Sequence, residues 1–559
     1  MSDRTDSDSA VDVPFFSHHS FRIDFPPDWF VNRWNSARVD SAHAHWSGLS
    51  DFDPSLGDIK TVWELSRMDW APRFCWSARR GNSELVSIVE SWLRDWCEKN
   101  PGNAGVNWKC GQETALRALN LLVSAKVLGD RFDSPYSGFV DLLEQHGERI
   151  NKTLSYAIAQ DNNHGTSEAA GLFLIGSYLA RHLDRAKKNK ALRWQAAGRK
   201  WLENRARRLI MRDGSFSQHS VVYHRMMLDT LALTELMRRE FAEPPFSRVL
   251  YERAGAATNW LAAMVDPVSG DAPNLGANDG THLFRMDDTS YRDFRQSANL
   301  ASSVFLNATI FPISELHPLM QLFDAETGSA SDDNTAGCQL FPEGGYAVMR
   351  NKQSMALLRL PIFKFRPSHA DALHVDIWEG GANLVVDSGT FSYNGEIKGN
   401  DSQRWFSGTA RHNTVEFDSK DQMPAISRFL FSDWLEPSSL DFDPAKCRIC
   451  CGYVTKGRGS HTRSLSLNEA GWCVTDTIDG SFKTAVIRWH LAPGDWSIED
   501  SSLVSSLATI TVDASQPCKL TLGESLVSRH YLEYEKVSVL EVTVTEPAIV
   551  TTAISPRRT

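Results

Sequence analysis

Residues 368–418 read SHADALHVDIWEGGANLVVDSGTFSYNGEIKGNDSQRWFSGTARHNTVEFD, and this stretch sets the architecture of the C-terminal half. It contains two short runs of apolar and β-branched residues, NLVVD (383–387) and NTVEF (413–417), with glycine- and asparagine-rich segments between them. Short runs bounded by turn residues indicate strands rather than helices. We therefore predict antiparallel β structure around this stretch.

Runs of the same kind continue on both sides of it: MALLRLP (355–361), RSLSL (463–467), ATITV (508–512) and VSVLEVTV (537–544). Their length and their turn punctuation are typical of a β-sandwich. The polar segment ETGSASDDNTAG (326–337) separates these strand patterns from the part of the chain that precedes them. We predict a linker over residues 326–335 and an antiparallel β-sandwich domain over residues 336–559.

The N-terminal half has helical periodicity instead. After Gly111, apolar residues recur at helical i, i+3 and i+4 spacings, as at Leu116, Leu119, Leu122, Val123 and Val127. Many helices in series, with no strand signal between them, favour an all-α array or toroid over residues 21–325. Residues 1–20 are polar and acidic at their start, and we predict a disordered tail there. The predicted fold class is multidomain α + β.

Bulk properties limit the function classes. The chain has 559 residues, too many for one hydrophobic core, and a formal net charge of −10. That charge argues against a general nucleic-acid binder, which needs a basic face. A local cationic cleft can still hold a polyanion on an acidic protein. The 18 tryptophans are typical of either sugar stacking or core packing.

The N-terminal segment MSDRTDSDSAVDVPFF lacks the basic and apolar regions of a secretory signal. No run reaches the roughly 18 apolar residues that a membrane span needs. We expect no membrane association and a cytoplasmic protein, with a periplasmic or secreted location as the alternative. Nine cysteines are present, and the cluster at 447–451 has no second pair at zinc-finger spacing, so we interpret its thiols as ordinary and reduced.

The first candidate constellation is QDNNHGTSEAAGL (160–172). The carboxamide of Asn163 can hydrogen-bond a substrate carboxylate without adding a second negative charge. The imidazole of His164 can take a proton near neutral pH. The same residues also suit a helix start with an asparagine cap.

The second constellation is RDGSFSQHSVVYHRMML (212–228), in which a helix is predicted to begin near Ser220. A phenol such as that of Tyr223 serves as an acid or base if a neighbouring cation lowers its pKa. The alternative is that Tyr223 and His224 are half-buried residues at the rim of a helix bundle.

The third constellation lies within residues 368–418, where His369, Asp387 and His412 fall in separate strand regions. Two imidazoles and one carboxylate form a zinc ligand set. The alternative places both histidines at strand ends and Asp387 at the start of the DSGT turn.

Two smaller features carry charge. Glu113 and Arg117 form an i,i+4 pair, which is most often a solvated salt bridge. Arg404 and Arg411 flank the third constellation and suit either an anion clamp or ordinary surface charge.

Together and in this order, the motifs resemble the heparinase II/III-like polysaccharide lyases and the related alginate lyases. The resemblance covers most of the chain: VWELSRMDWAPRF (62–74), SWLRDWCEKNPGNAGVNWKCGQETALRALN (91–120), NNH followed by EAAGL, DGS followed by QHSVVYH, HADAL through GT to HNTV, and RWHLAPG (488–494).

This resemblance implies an (α/α) toroid followed by an antiparallel β-sandwich, and β-elimination of an acidic, uronic-acid-containing polysaccharide. It implies Asn163, His164 and Tyr223 as catalytic residues. It implies one structural zinc ion on His369, Asp387 and His412. In addition, we predict that Trp108, Glu113, Arg117, Arg225 and Arg404 bind the substrate.

Some members carry a further histidine two residues before the first zinc ligand, where this chain has Pro367. Heparan sulfate, chondroitin, alginate and bacterial exopolysaccharide all fit as substrates, and the oligomeric state stays open. One alternative function is a toroid glycoside hydrolase, which needs two carboxyl groups such as Asp161, Glu168 or Asp213. The other is a non-catalytic or biosynthesis-associated surface-polysaccharide protein.

Overall fold

The computed structural model describes residues 10–39, 43–50, 53, 55–312, 315–330, 337–351 and 353–557. The described chain begins with an antiparallel hairpin of strands β1 (Val11–Phe15) and β2 (His19–Ile23). The side chains of Val13, Phe15 and Ile23 are buried against the helical domain. The prediction of a disordered tail over 1–20 is therefore wrong for residues 11–20, because alternate apolar side chains give the hairpin one buried face; residues 1–9 lie outside the described residues.

Twelve described helices follow in series: α1 (Lys60–Arg67), α2 (Trp70–Arg79), α3 (Glu84–Lys99), α4 (Gly111–Val127), α5 (Asp130–Asp133), α6 (Ser137–Ala159), α7 (Asn163–His182), α8 (Arg185–Leu209), α9 (Val221–Glu240), α10 (Arg248–Met264), α11 (Arg295–Phe305) and α12 (Pro318–Leu322). The apolar repeat read from 116 to 127 lies in α4 and is buried throughout.

Helix α7 lies at the centre of this domain and contacts α4, α6, α8 and α9. Glycine permits its close approach to α8, since a Cβ at Gly176 would lie 2.4 Å from the backbone N of Gln195. A Cβ at Gly198 of α8 would likewise lie 2.3 Å from the backbone N of Phe173. The N-terminal end of α7, which carries Asn163 and His164, is thus held by close packing on several sides.

A short parallel pair, β3 (Ala308–Thr309) and β4 (Ser329–Ala330), precedes the C-terminal domain. The predicted linker 326–335 therefore includes β4, and residues 331–336 lie outside the described residues.

The C-terminal domain is built from antiparallel strands and one short helix: β5 (Gln339–Phe341), β6 (Tyr346–Asn351), β7 (Ser354–Arg359), β8 (Val375–Glu379), β9 (Ala382–Val385), β10 (Glu396–Ile397), β11 (Asn400–Asp401), α13 (Ser402–Ser407), β12 (Val415–Phe417), β13 (Ala425–Ser427), β14 (Leu430–Phe431), β15 (Pro437–Asp443), β16 (Arg448–Thr455), β17 (Gly459–Asn468), β18 (Gly471–Asp479), β19 (Ala485–His490), β20 (Ser497–Glu499), β21 (Ser502–Val504), β22 (Ala508–Ala514), β23 (Lys519–Val527), β24 (Glu535–Val544) and β25 (Ala548–Pro556).

These strands form three larger sheets with the orders β5-β6-β7-β8-β9, β12-β19-β24-β23 and β15-β16-β17-β18-β25-β22-β21-β20. All six strand runs predicted from the sequence coincide with observed strands. The fold class is confirmed: a helical N-terminal region precedes an antiparallel β region.

The two domains share a hydrophobic core. One core cluster includes helical-domain residues together with Tyr346, Trp378, Tyr393 and Tyr531 of the β domain, while a second lies within the β domain. Backbone contacts join the domains as well, since Asp213 accepts hydrogen bonds from the backbone N–H groups of residues 343 and 344 at 2.7 and 3.0 Å. Among the described residues, no helix has the length and apolar character needed to cross a bilayer.

Candidate active site

A cavity of about 880 Å³ lies between the helical domain and the β domain. The N-terminal ends of α1, α4, α7 and α9 meet on one side of it, and loops of the β domain close the other side. Helix N-terminal ends carry partial positive charge and unpaired backbone N–H groups. The location therefore favours an anionic ligand before any side chain is considered.

Asn163 and His164 are both presented to this cavity by the first turn of α7. The cap of that helix is Asn162, whose side chain accepts a hydrogen bond from the backbone N of His164 at 3.0 Å. Because Asn162 caps the helix, the side chain of Asn163 is available for other contacts. Its Nδ2 lies 3.4 Å from the sulfur of Met226, a weak acceptor that a substrate oxygen would readily replace.

The imidazole of His164 makes no hydrogen bond with any described residue. Burial, followed by the positive charge of Lys60, lowers the pKa of His164 to about 4. The ring is therefore neutral above about pH 4 and is able to accept a proton.

Tyr223 reaches the cavity from the first turn of α9, which begins next to Ser220 as predicted. Ser220 caps this helix, since its hydroxyl accepts a hydrogen bond from the backbone N of Tyr223 at 3.1 Å. The hydroxyl of Tyr223 lies 2.8 Å from that of Tyr393 in the β domain. Burial, followed by the negative charge of Asp279, raises the pKa of Tyr223 well above its ordinary value. The expectation of a cation-lowered phenol pKa is wrong for this structure, and Tyr223 keeps its proton at neutral pH.

Sequence reasoning assigned no role to Tyr393. The tyrosine stands within the quoted β-domain motif, but its partner Tyr223 is 170 positions away. No local pattern reveals a contact over that separation, and only the resemblance to a family offered a signal.

Several charges of the cavity are already paired. Lys60 binds Asp279 at 2.8 Å, and its Nζ lies 5.2 Å from the ring centre of Tyr393. Glu113 is bound by Arg67 at 2.8 Å. Although burial acts in the opposite direction, Arg67 lowers the pKa of Glu113, and this carboxylate is ionised.

Of the five predicted substrate-binding residues, Glu113 alone is among the described residues that line the cavity. Arg225 is buried and donates to the backbone oxygens of Tyr291 and Thr281 at 2.6 and 3.3 Å. Arg404 is exposed and donates to the backbone oxygen of Ala425. The assignment of these two arginines to substrate binding is wrong, because neighbours in sequence on a helix point in different directions.

Arg117 and Trp108 also lie outside the cavity lining. The guanidinium of Arg117 is buried between the rings of Trp96 and Trp108, 4.5 and 5.2 Å from their centres. The predicted solvated pair with Glu113 is not formed, since Arg117 donates to His146 at 2.8 Å instead. Both residues stabilise the helical core and do not contact the cavity.

Besides Lys60, three cations that the sequence analysis did not select line the cavity: Lys109, Arg149 and Arg366. Arg149 is held over the ring of Trp46 at 3.7 Å and donates to the backbone oxygens of residues 108 and 109. Arg366 is exposed and makes no ion pair within the described part of the chain. Arg366 directly precedes Pro367, the position at which some family members have a histidine. This departure from the family could have marked Arg366 as a candidate site residue.

Glu168 lies one turn after His164 and lines the same cavity. One of its carboxyl oxygens, Oε2, is buried and has no hydrogen-bond partner. Burial, opposed by the charge of Arg149, raises the pKa of Glu168 to about 8. The carboxyl group is therefore mostly protonated at neutral pH and adds little negative charge to the cavity.

The predicted metal ligands converge in the β domain. His369, Asp387 and His412 are fully buried and offer ligand atoms that lie within 4.8 Å of one another. His412 Nδ1 lies 2.9 Å from an oxygen of Asp387, and the two imidazole rings stack with centres 5.0 Å apart.

The chemistry of this cluster suits a metal ion. His369 Nδ1 and His412 Nε2 are buried nitrogens without a hydrogen-bond partner. Although burial raises it, the neighbouring His412 and His374 hold the pKa of Asp387 well below its usual range. Asp387 also accepts a hydrogen bond from the backbone N of Gly389 at 2.7 Å, so it begins the DSGT turn as well as lying beside the two histidines.

Comparison with known proteins agrees with this architecture. Residues 333–553 match the family described as Heparinase II/III-like, C-terminal. A heparin-sulfate lyase from Bacteroides thetaiotaomicron is 21% identical over 448 residues, which cover 71% of this chain and 60% of the lyase. The chain thus spans about 60% of the length of this curated relative.

Solved structures extend the similarity to both domains. A crystal structure of heparinase III aligns with a TM-score of 0.68 at 14% identity, covering 95% of this chain and 82% of that one. A heparan sulfate lyase from Pedobacter heparinus aligns with a TM-score of 0.59 at 17% identity, covering 97% and 80%. The chain has the fold of these heparinase III structures, and its residues 333–553 match the heparinase II/III-like C-terminal family.

The raised pKa of Glu168 predicts a pH-dependent stability difference. An unfolded glutamate ionises near pH 4.5, whereas the folded one holds its proton to about pH 8. Stability therefore falls as pH rises through this window, by about 1.4 kcal/mol per pH unit at most. We expect Glu168→Gln to become progressively more stable than wild type between about pH 5 and about pH 8, as measured by urea unfolding.

Glu98→Gln, at an exposed position on α3, is the matched control and should keep the wild-type pH slope. Parallel pH profiles for wild type and Glu168→Gln would contradict the assignment.

Proposed function

We propose that this chain, with its heparinase II/III-like C-terminal domain and heparinase III fold, is a lyase that cleaves a uronic-acid-containing polysaccharide by β-elimination. One observation carries the proposal: Asn163, His164, Tyr223 and Tyr393 face a single cavity, beside Arg366, which pairs with no acidic residue that the structure describes. The relative's name, heparin-sulfate lyase, supports a glycosaminoglycan as the substrate.

β-Elimination needs a particular set of groups. The C5 proton of a uronide is weakly acidic, and its removal places extra negative charge on the adjacent carboxylate. Only interactions that strengthen as this charge develops increase the rate. The Asn163 amide donates to the carboxylate without adding negative charge, and the protonated Glu168 next to it adds none at neutral pH.

The pKa shifts of His164 and Tyr223 support one division of the proton transfers. The neutral imidazole of His164 takes the C5 proton, because this ring is unprotonated above about pH 4. The phenol of Tyr223, which keeps its proton, donates it to the C4 oxygen as the C4–O bond breaks. Tyr393, whose hydroxyl lies 2.8 Å from that of Tyr223, holds the acid in position. The product carries a C4=C5 double bond.

Arg366 and the cations on the α4 side give the cavity its affinity for a polyanion. Arg149 is fixed over Trp46, so this cation and the aromatic surface are presented together. Arg366 approaches from the β domain, near His164. An acidic glycan placed between the two domains would contact positive charge from both.

We also propose that His369, Asp387 and His412 hold one zinc ion. When bound, it supplies structural cross-linking of three loops and takes no part in proton transfer. Ser368, the residue before the first ligand, lines the cavity and donates to the backbone oxygen of Gln218 at 2.6 Å. Fixing His369 therefore also fixes the segment that carries Arg366.

The hydrolase alternative has less support. It requires two carboxyl groups placed on either side of the bond that is cleaved. Asp161 is bound by Arg205 and Arg208, and Asp213 accepts backbone hydrogen bonds outside the cavity lining. Glu168 is the one named candidate whose carboxyl group is not already bound by an arginine or a backbone N–H. New reducing ends without new ultraviolet absorbance would favour hydrolysis.

Tyr223→Phe tests the lyase assignment. Loss of the acid that protonates the leaving oxygen should lower the rate by roughly 10²–10⁴-fold. The measurement is the ultraviolet absorbance of the unsaturated product, on a panel of acidic polysaccharides. Tyr178→Phe is the control, since its buried hydroxyl contacts the backbone oxygen of Phe132 in the helical domain. Full activity in Tyr223→Phe would refute the role given to this residue; binding of a glycan by wild type without turnover would favour the non-catalytic alternative.

Arg366→Gln tests the polyanion interaction. Loss of a cation that contacts the substrate should raise KM by about tenfold or more, with a smaller change in kcat. The salt dependence of KM should weaken at the same time. Lys364→Gln is the control, because this exposed lysine is paired with Glu343 outside the cavity. An unchanged KM in Arg366→Gln would exclude it from the binding site.

Asp387→Asn tests the buried zinc site. We expect loss of one zinc equivalent by metal analysis and a lower midpoint of thermal unfolding, because the three loops lose their cross-link. His461→Gln, at a buried histidine paired with Asp476 in the same domain, should keep the metal. Equal zinc content in Asp387→Asn and wild type would disprove the ligand set.

A further inference from the structure

A second group of metal-ligand side chains lies where the N-terminal hairpin meets the β domain. His18 Nε2 lies 3.1 Å from Oε2 of Glu533, and the ligand atoms of His18, His19 and Glu533 all lie within 4.8 Å of one another. We propose that these three residues form a second divalent-metal site, suited to zinc, which joins the hairpin to the β domain.

The hydrogen bonding of His19 leaves it ready to bind a metal ion. Its Nε2 lies 2.6 Å from the backbone oxygen of Tyr531, which only accepts hydrogen bonds, so Nε2 carries the proton. Nδ1 therefore presents a lone pair. A carbonyl on the second ring nitrogen is the usual arrangement for a metal-binding histidine.

Stacking fixes the ring of His18. It lies parallel to the ring of His530, with centres 3.6 Å apart and planes within 9°. Glu533 is on the same β-domain segment as His530, and its side chain is about half exposed, with access to water. Two imidazoles, one carboxylate and a water molecule complete the tetrahedral coordination that zinc prefers.

This site would connect to the active site through Tyr531. The ring of Tyr531 packs on Phe16 of the hairpin with centres 4.9 Å apart. Its hydroxyl donates to Asp58 and accepts a hydrogen bond from the backbone N of Tyr393 at 3.0 Å. A metal ion bound by His19 and Glu533 would fix two neighbours of Tyr531: the histidine that contacts its backbone oxygen, and the glutamate two residues after it. The metal site does not depend on the proposed function, but this link to Tyr393 does.

Zinc stoichiometry tests the proposal directly. Full-length protein is treated with chelator and dialysed against zinc alone, and bound metal is then measured. We expect two equivalents in wild type and one in each of Glu533→Gln, His19→Gln and Asp387→Asn. The two glutamine variants keep a hydrogen-bonding side chain at each position. His43→Gln, at an exposed histidine outside both clusters, is the control and should keep two.

Affinity and stability provide a second readout. Zinc should raise the thermal unfolding midpoint of Asp387→Asn, which retains only the hairpin site. Adding Glu533→Gln to that variant should remove the shift and weaken zinc binding at least about tenfold.

One equivalent in wild type that is lost in Asp387→Asn and kept in Glu533→Gln would overturn this second site and leave the buried one standing. One equivalent lost in Glu533→Gln and kept in Asp387→Asn would support the hairpin site and overturn the buried one. Equal loss in His43→Gln would show non-specific binding and overturn the proposal. Lyase activity enters none of these measurements, so failure here is distinct from failure of the proposed function.

Discussion

The 2.8 Å hydrogen bond between Tyr223 and Tyr393 is the contact on which the arrangement of the cavity depends. It joins the first turn of a central helix to a loop of the β domain, and the two hydroxyls are buried together. Each partner is fixed independently, Tyr223 by the cap at Ser220 and Tyr393 by its backbone hydrogen bond to Tyr531. A phenol in such a position keeps its proton, and it can release that proton only to a group that becomes strongly basic, such as a leaving alkoxide.

The electrostatics of the cavity follow from the burial of its polar side chains between the two domains. Four helix N-terminal ends meet there, and burial penalises every charge that is not paired. Glu113 is accordingly bound by Arg67, Lys60 by Asp279, and Glu168 keeps its proton to about pH 8. The positive charge of Arg366, which has no ion-pair partner in the described ranges, lies at the β-domain side. The result is a pocket that attracts an anion and avoids adding negative charge beside it.

The β-domain residues that line this pocket lie on loops. Loops lack the hydrogen-bonded pairing of a sheet, so other contacts must hold them in place. The buried cluster around Asp387 and the proposed hairpin site at His19 each lie close to one of those loops. With a metal ion bound, as proposed, the first would support the segment that carries Arg366, and the second would support the segment that contacts Tyr393. Both sites are built from residues far apart in sequence, so metal binding there would depend on the folded chain.

The sequence by itself determined the order of the domains, the six strand runs, the cap at Ser220 and the types of residue that could transfer protons or bind zinc. These features depend on local periodicity and on side-chain chemistry, which a linear pattern records. Tertiary structure alone decided that Tyr393 meets Tyr223, that Arg366 rather than Arg225 or Arg404 faces the cavity, and that residues 11–23 form a packed hairpin. It also set the pKa directions of His164, Tyr223 and Glu168, because burial and charge contacts between distant segments exist only once the chain has folded.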